Sequence, residues 1–438
     1  MDRTISGVFW LLLYSAIVMV PIALMLVPPV PAGRAFWLEL GVALGFVGLT
    51  QIALQFVLIA RFRRVTAPYG IDVVLHYHRQ IAIVAVAAIL LHPALIIIAD
   101  PARLRLLNPL GGNWASRFGL LSVLALVATI LMSLLRERFR LRYEYWRAAH
   151  LGLGVVAIVA AQTHVSLAGL YTNTAWKQAI WIGMAAVMVG LVVMLRVLNP
   201  ILQRNRAWRV TEVREERGDT WSLSLAPVDH DGLRFAPGQF AWVKIADTPF
   251  TIEEHPFSFT SSAERSDVVV FGIKELGDFS SRMSRVAVGA TAFLDGPHGA
   301  FSMDRYQAPG YVFIAGGVGI TPFLSMLKTM ADRGDPRPVT LIYADRSWDA
   351  VAFRDELDVL RERVRLEITY VLEDPPEGWE GEEGMVTAEV LERSLPRDGY
   401  KRMYLLCGPP PMMDAVQSAL LERGVPRRHI QLERFALV

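Results

Sequence analysis

The stretch His78-Arg-Gln-Ile-Ala-Ile-Val-Ala-Val-Ala-Ala-Ile-Leu-Leu-His92 decides the fold. A histidine stands at each end of a largely apolar run, and a second stretch, His150 to His164, repeats the same interval of 14 residues. At about 100° per residue, fourteen steps fall about 40° short of four turns, so each pair shares one helix face, with its members about 21 Å apart along the axis. One such histidine alone reads more simply as a satisfied core residue or a helix-end group. Four at matched intervals in apolar helices read as metal ligands, because an ionisable ring in hydrocarbon is expensive unless it has a task. His78 then faces His150 in one layer, and His92 faces His164 in a second. Two histidines at one depth supply both axial ligands of a haem iron, so two layers hold two stacked b-type haems. His76 lies two residues from His78 and points off that face; it reads as interfacial, with replacement of His78 as its alternative role.

Working outward, six segments are apolar and long enough to span about 30 Å of hydrocarbon at 1.5 Å per residue. They run from Val8 to Val27, Phe36 to Ala60, Tyr77 to Ala99, Phe118 to Leu135, Ala148 to Gly169 and Trp176 to Leu198. The first, which follows Arg3, has a secretory signal peptide as its alternative. Basic residues sort the loops. Arg61, Arg63 and Arg64, the run Arg136, Arg138, Arg140, Arg142 and Arg147, and Arg204, Arg206 and Arg209 share one side, so both chain ends are expected to be cytoplasmic, in the cell (inner) membrane. Arg79 and Arg147, at the inner end, pair with haem propionates or simply obey the charge rule. Gly152 and Gly154 leave room beside the helix for a planar ring, and Pro93 is expected to kink the helix after His92.

The chain has 438 residues, 53% hydrophobic and 20% charged, with a net charge of +2. The mean hides two halves: residues 1–200 carry 16 Lys and Arg against 6 Asp and Glu, and the remainder 28 against 36. A membrane half in the lipid bilayer precedes an acidic soluble half, and a nucleic-acid-binding chain is excluded. Cys407 is the single cysteine, which excludes an internal disulfide, a four-cysteine iron–sulfur cluster and a cysteine-rich zinc site. Redox cofactors must therefore be held by other residues.

From about Arg209 the pattern turns to short alternating strands. Phe235-Ala-Pro237-Gly-Gln239-Phe enters one strand; His255-Pro256-Phe257-Ser258-Phe-Thr-Ser261 alternates hydroxyls with aromatics; Lys274-Glu-Leu-Gly277-Asp-Phe-Ser280 turns backbone N–H groups toward a phosphate. In this order they describe a small all-β domain able to hold a flavin. After Pro309 an apolar strand runs into Gly316-Gly317-Val-Gly319-Ile-Thr321-Pro322 and a helix, which brings phosphate to backbone amides at a positive helix end. A second strand ends at Asp345-Arg346, where Arg346 reaches a 2′-phosphate. A third ends at Cys407-Gly408-Pro409. Strand C-terminal ends are where doubly wound sheets bind ligands.

The set Pro237-Gly-Gln-Phe, His255-Pro-Phe-Ser, Gly316-Gly-Val-Gly-Ile-Thr-Pro and Cys407-Gly-Pro-Pro resembles the ferredoxin-NADP reductase superfamily. Joined to six helices with two paired-histidine spans, it resembles the ferric reductase and NADPH oxidase family in a compact prokaryotic form. The resemblance implies three domains: a six-helix transmembrane haem bundle over residues 1–200, a β-barrel FAD-binding domain over 205–306 and an α/β doubly wound NAD(P)H-binding domain over 309–438. It places Phe257 against the flavin ring and Ser258 near its reactive nitrogen. His255 would contact FAD phosphates or nearby polar groups, and Gly277 and Ser280 would complete the pyrophosphate site. Gly316, Gly317, Gly319 and Thr321 would hold the nucleotide's pyrophosphate, and Cys407 and Gly408 would border its nicotinamide. Phe435 is the candidate aromatic over the flavin, though two residues short of the usual terminal position. Ile96 stands where superoxide-forming animal members have a histidine, which weakens oxygen as the acceptor. The implied activity is transmembrane electron transfer from NADPH (NADH possible) through FAD and two haems to O2 or ferric chelate outside, with no nucleic acid and no obligatory protein partner. The rivals are a haem-free membrane-anchored flavin reductase, which leaves the histidines unexplained, and a nucleotide-gated six-helix channel, which leaves the flavin motifs idle.

Overall fold

The computed structural model describes residues 3–60 and 71–434. Phe435 and the arginines at 61, 63 and 64 lie outside the described residues. The chain forms two units, Met1–Asn199 and Pro200–Val438.

The first unit is helical: α1 Arg3–Leu26, α2 Phe36–Ile59, α3 Ile71–Ala99, α4 Trp114–Leu134, α5 Tyr143–Ala168 and α6 Ala175–Val193, the last running on through a π-helical stretch, Met194–Leu198. Five helices are long and apolar enough to cross a bilayer: Phe36–Ile59, Val73–Ala99, Trp114–Leu134, Tyr143–Ala168 and Ala175–Arg204. The described apolar run of α1, Val8–Leu24, is shorter, about 25 Å at 1.5 Å per residue against about 30 Å of hydrocarbon. The sequence reading of six spans is thus met by five on length and composition. Helices α3 and α5 also begin earlier than their apolar runs, because backbone hydrogen bonding continues into polar turns where hydropathy has already fallen. Helix α3 continues through Pro93 to Ala99. Helix α4 starts where Asn113 accepts a hydrogen bond from the Ser116 amide at 2.9 Å, and α5 stops at Gly169, left-handed at φ +64°.

Helix α2 packs along α3, and α4 along α5. Small residues set the closeness. A Cβ on Gly48 would lie 2.8 Å from Ile89, and one on Gly41 would lie 3.1 Å from the His92 carbonyl oxygen. In the second pair the Ser122 hydroxyl donates to the Ala157 carbonyl at 2.9 Å. Phe46, Leu49, Phe56, Ile158, Trp181 and Met188 form an apolar core joining α2, α5 and α6.

The second unit begins with six antiparallel strands: β1 Trp208–Glu215, β2 Thr220–Pro227, β3 Phe240–Ile245, β4 His255–Ser258, β5 Val269–Lys274 and β6 Thr291–His298, in the order β4-β3-β6-β1-β2-β5. The sheet curls until its edges meet through the Phe259–Phe271 bridge, where the Thr260 amide donates to the Val270 carbonyl at 2.7 Å. Closure removes both open edges and buries Leu223, Leu225, Phe259 and Phe271 inside.

A parallel sheet follows, with β7 Tyr311–Gly316, β8 Val339–Asp345, β9 Leu366–Leu372, β10 Glu382–Glu383, β11 Met403–Cys407 and β12 Ile430–Glu433 in the order β10-β9-β8-β7-β11-β12. Helices α7 Thr321–Arg333, α8 Arg354–Arg363, α9 Ala388–Ser394 and α10 Pro410–Glu422 connect these strands. Strands β7 and β11 read as near-continuous apolar runs because both sheet faces are covered. The strand order reverses between β7 and β11, which makes their C-terminal ends the topological switch point. Helix α7 fastens this sheet to the barrel: the Ser325 hydroxyl donates to the Ser261 carbonyl at 2.8 Å, and Thr329 Oγ1 accepts from the Ala263 amide at 2.9 Å.

Candidate cofactor sites

The four histidines meet in two layers. The rings of His78 and His150 have centroids 6.3 Å apart, and those of His92 and His164 are 6.1 Å apart. A ring nitrogen lies about 1.1 Å from its centroid and a metal–imidazole bond is about 2 Å, so two rings on one ion stand about 6.2 Å apart. Both separations match that spacing.

The second ring nitrogens indicate which tautomer is held. His92 Nδ1 lies 2.8 Å from the Gly41 carbonyl and His164 Nδ1 lies 2.7 Å from the Ala115 carbonyl. A carbonyl only accepts, so Nδ1 carries the hydrogen in each and Nε2 keeps its lone pair for a metal. His150 Nδ1 lies 3.2 Å from Ser133 Oγ, whose own hydrogen goes to the Thr129 carbonyl at 2.8 Å. Ser133 therefore accepts from His150. His78 Nδ1 is buried without a hydrogen-bond partner among the described residues. Gly45 and Gly119 press on two rings: a Cβ on Gly45 would lie 2.7 Å from His92 Nδ1, and one on Gly119 would lie 2.9 Å from His164 Nδ1. Sequence reasoning missed Gly41, Gly45, Ala115, Gly119 and Ser133. Their signal was the four-residue spacing of Gly41 and Gly45, matched by Ala115 and Gly119. Arg79 is exposed; Arg147 is half-buried, its guanidinium over the Tyr143 ring at 5.4 Å.

In the barrel, β4 presents His255 and Phe257 as half-buried side chains with Ser258 buried beyond them. The His255 ring stacks on Phe279 at 4.3 Å, and Phe257 stacks on the same ring at 5.9 Å. Pro256 pairs with Trp242 across the strand. This aromatic shelf borders the Lys274–Ser280 turn. Ser280 Oγ accepts from the Leu276 and Gly277 amides at 2.9 and 3.0 Å, so these two N–H groups are turned to the protein's own hydroxyl. After Pro237, the Gln239 side chain bridges the Ala236 amide and the Gly299 carbonyl, at 2.8 and 3.0 Å. Ser261 Oγ accepts from the Val270 amide at 3.1 Å. The Gln239 and Ser261 side chains shape their loops through contacts within the protein.

At the switch point two loops touch. A Cβ on Gly319 would lie 2.6 Å from the Cys407 carbonyl carbon and 2.9 Å from the Gly408 amide nitrogen, and one on Gly316 would lie 2.8 Å from Pro409. The glycines thus hold the β7 and β11 turns together at the backbone. Thr321 donates its hydroxyl to the Val318 carbonyl at 2.9 Å, and Pro322 occupies the first turn of α7, where its missing N–H costs nothing. Lys274 brings its amine to about 4.0 Å from the Cβ position of Gly317. Asp345 accepts from the Arg346 amide through Oδ1 at 2.8 Å, while its Oδ2 is buried without a partner among the described residues. Burial pushes the Asp345 carboxyl above the usual range, opposed by the Arg346 amide and by the Lys274 charge. Arg346 is exposed and pairs with Asp374 at 3.1 Å. Cys407 is fully buried; burial, and then the nearby Glu433, push its thiol well up.

Family models match the chain in three consecutive blocks: a ferric reductase like transmembrane component over residues 44–161, an FAD-binding domain over 207–307 and an oxidoreductase NAD-binding domain over 313–418. The three blocks follow one another in a ferric reductase/NADPH oxidase-like fused architecture. The chain is 35% identical over 237 residues to the reductase component of propane 2-monooxygenase from Rhodococcus jostii (strain RHA1), which covers 52% of this chain and 62% of that protein. It is 35% identical over 189 residues to NADH-cytochrome b5 reductase 1 of Cryptococcus neoformans var. neoformans serotype D (strain JEC21), covering 41% and 62% respectively. The chain thus spans 62% of the length of each of these two relatives. The cytochrome b5 reductase domain of Ulva prolifera nitrate reductase is 24% identical, with a TM-score of 0.46 over 53% of this chain and 98% of that domain.

The chain therefore has FAD-binding and NAD-binding domains of the kinds expected, behind a ferric reductase-like membrane domain. All four sequence-predicted ligands are brought together in pairs. The glycine loop meets Cys407-Gly408-Pro409, and Lys274 lies on the Gly317 side of the barrel.

Proposed function

We propose that this protein is a transmembrane oxidoreductase that takes electrons from cytosolic NADPH and delivers them to an acceptor on the outer side, either ferric chelate or O2. The observation that carries the reading is the pair of histidine layers at metal-ligating separation, in a chain whose other half is built of FAD-binding and NAD-binding domains.

When bound, the flavin supplies conversion of a two-electron hydride into single electrons, and two b-type haems supply one-electron carriers. The protein's own groups bind and orient. His78 and His150, then His92 and His164, offer Nε2 from opposite sides of each layer, with Nδ1 held by carbonyl or hydroxyl in three of the four. Arg79 and Arg147 supply positive charge at the inner end for propionates. The shelf of Phe257 and Phe279, with Ser258 behind it, bounds the flavin ring, while His255 and the turn at Gly277 and Ser280 bound its phosphates. Gly316, Gly317 and Gly319 clear the way for the nucleotide's pyrophosphate to the start of α7, where backbone N–H groups favour anions. Cys407 stays a neutral thiol at the nicotinamide border, a small buried surface with no role as nucleophile. Arg346, exposed at the end of β8, is free in space to exchange Asp374 for a 2′-phosphate, which favours NADPH over NADH. The basic loops support a cytoplasmic side for both chain ends, in the cell membrane.

The test is spectroscopic. The purified membrane protein should contain two haems per chain, reduced on anaerobic addition of NADPH. Absence of any haem band would end this reading, and turnover with ferric chelate or O2, with and without superoxide dismutase, would identify the acceptor.

A further inference from the structure

We infer that Gln55 accepts the Nδ1–H hydrogen bond of His78 and so orients the inner ligand, completing a set of four ring-fixing contacts of which three are visible. This rests on the haem reading above.

The two helix pairs repeat one another. An offset of seventy-four residues carries α2 onto α4, taking Gly41 to Ala115 and Gly45 to Gly119. At the first of these positions a carbonyl accepts from the outer histidine, and at the second the absent side chain leaves space for its ring. An offset of seventy-two carries α3 onto α5, taking His78 to His150 and His92 to His164. The inner layer breaks the repetition. Ser133, which accepts from His150, corresponds to Ile59, whose side chain has no acceptor; Thr129, one turn away, corresponds to Gln55.

Two buried polar groups then lack a partner among the described residues, each other included, so the bond between them forms by a turn of the Gln55 side chain. His78 Nδ1 is buried without a partner among the described residues. Gln55 is 6% exposed, and both its amide oxygen and nitrogen are buried without a partner among the described residues. Buried amides are nearly always paired, and an unpaired one signals a contact made with something further. By helical phase Gln55 lies within about 40° of Gly41, Gly48 and Ile59, the stripe packed on α3. The antiparallel register that sets Gly41 against His92 sets Gln55 four turns on, opposite His78. Its longer side chain covers the extra turn that Ser133 does not have to. Donation from Nδ1–H to Gln55 Oε1 leaves Nε2 for the iron, as in the other three rings.

The experiment is a potentiometric titration of the purified two-haem protein, followed by the haem absorption bands and by the spin-resonance signals of the ferric centres. Loss of an acceptor at Nδ1 makes the ring less basic and favours ferrous iron. Gln55→Leu should raise one of the two midpoints by about tenfold in the reduction equilibrium, about 59 mV for one electron. Ser133→Ala should raise that same midpoint, since both act on one layer. Gln55→Glu, which keeps a polar acceptor and adds charge, should lower it and retain both haems even where Gln55→Leu loses one. The other midpoint should hold still throughout. Two haems whose potentials and resonance signals ignore both Gln55 substitutions would overturn this inference while leaving the haem reading intact. A wild-type protein without haem would overturn both.

Discussion

Gly319→Ala tests the nucleotide site at the point where the structure leaves least room. The added methyl would stand 2.6 Å from the Cys407 carbonyl carbon and 2.9 Å from the Gly408 nitrogen, against ordinary contact from 3.4 Å. Both neighbours are backbone, so no rotamer relieves the clash, and the β7 and β11 turns must part by roughly an ångström. Overpacking of this kind costs about 1–3 kcal/mol of stability. The larger effect falls on transfer from the nicotinamide, because a misplacement of about 1 Å costs on the order of 100-fold in rate, about 2.7 kcal/mol in the barrier. The assay is stopped-flow anaerobic reduction of the flavin by NADPH, with flavin content and dithionite-reduced haem spectra as controls for the rest of the molecule. Gly334→Ala serves as comparison: it also sits beside the sheet, at φ +62°, with nothing within 4 Å of the new methyl, and should lose stability without losing rate. Wild-type NADPH affinity and flavin reduction in Gly319→Ala would refute the assignment of these loops to the nucleotide.

Gly119→Ala should displace the His164 ring and break its bond to Ala115, so that the haem-to-protein ratio falls from two toward one; an unchanged ratio and spectrum would count against the outer layer. Arg346→Ala should lower kcat/KM for NADPH by about tenfold while sparing NADH, as expected when a charge-assisted phosphate contact is lost; a retained preference would remove the argument for NADPH. Cys407 should resist iodoacetamide in the native protein and titrate as one thiol per chain on denaturation, since burial keeps it neutral. Asp345 has its carboxyl raised by burial, so the native state binds that proton more tightly than the unfolded chain, and the stability it contributes is present below the ordinary carboxylate value and lost as pH rises through the folded one. Asp345→Asn should therefore melt higher than the parent at pH 7, with the gap closing toward about pH 4; a gap independent of pH would refute the burial argument.

The histidine interval was enough to pair the four histidine rings, because an α-helix converts sequence separation into both angle and depth. The motif order likewise announced a barrel and then a doubly wound sheet, since each turn signature sits at the end of a strand. What stayed hidden was the environment of each ligand. Carbonyls at Gly41 and Ala115 are present in every sequence and acquire meaning only when another helix brings a ring to them. Span limits were misjudged for the opposite reason: hydropathy reports surroundings, whereas α3 and α5 run on past it by their own hydrogen bonds. Gln239 and Ser261, read as cofactor contacts, direct their side chains to loop amides and a carbonyl, a role that a motif cannot distinguish from binding.

The ring-fixing contacts divide unequally between the layers. His92 and His164 are held by main-chain oxygens, which no substitution at Gly41 or Ala115 can delete, whereas His150 depends on a single hydroxyl. A single substitution can therefore remove the partner of His150, whereas those of His92 and His164 survive a change of side chain at their own positions and are reached only through the packing around the rings, as at Gly119.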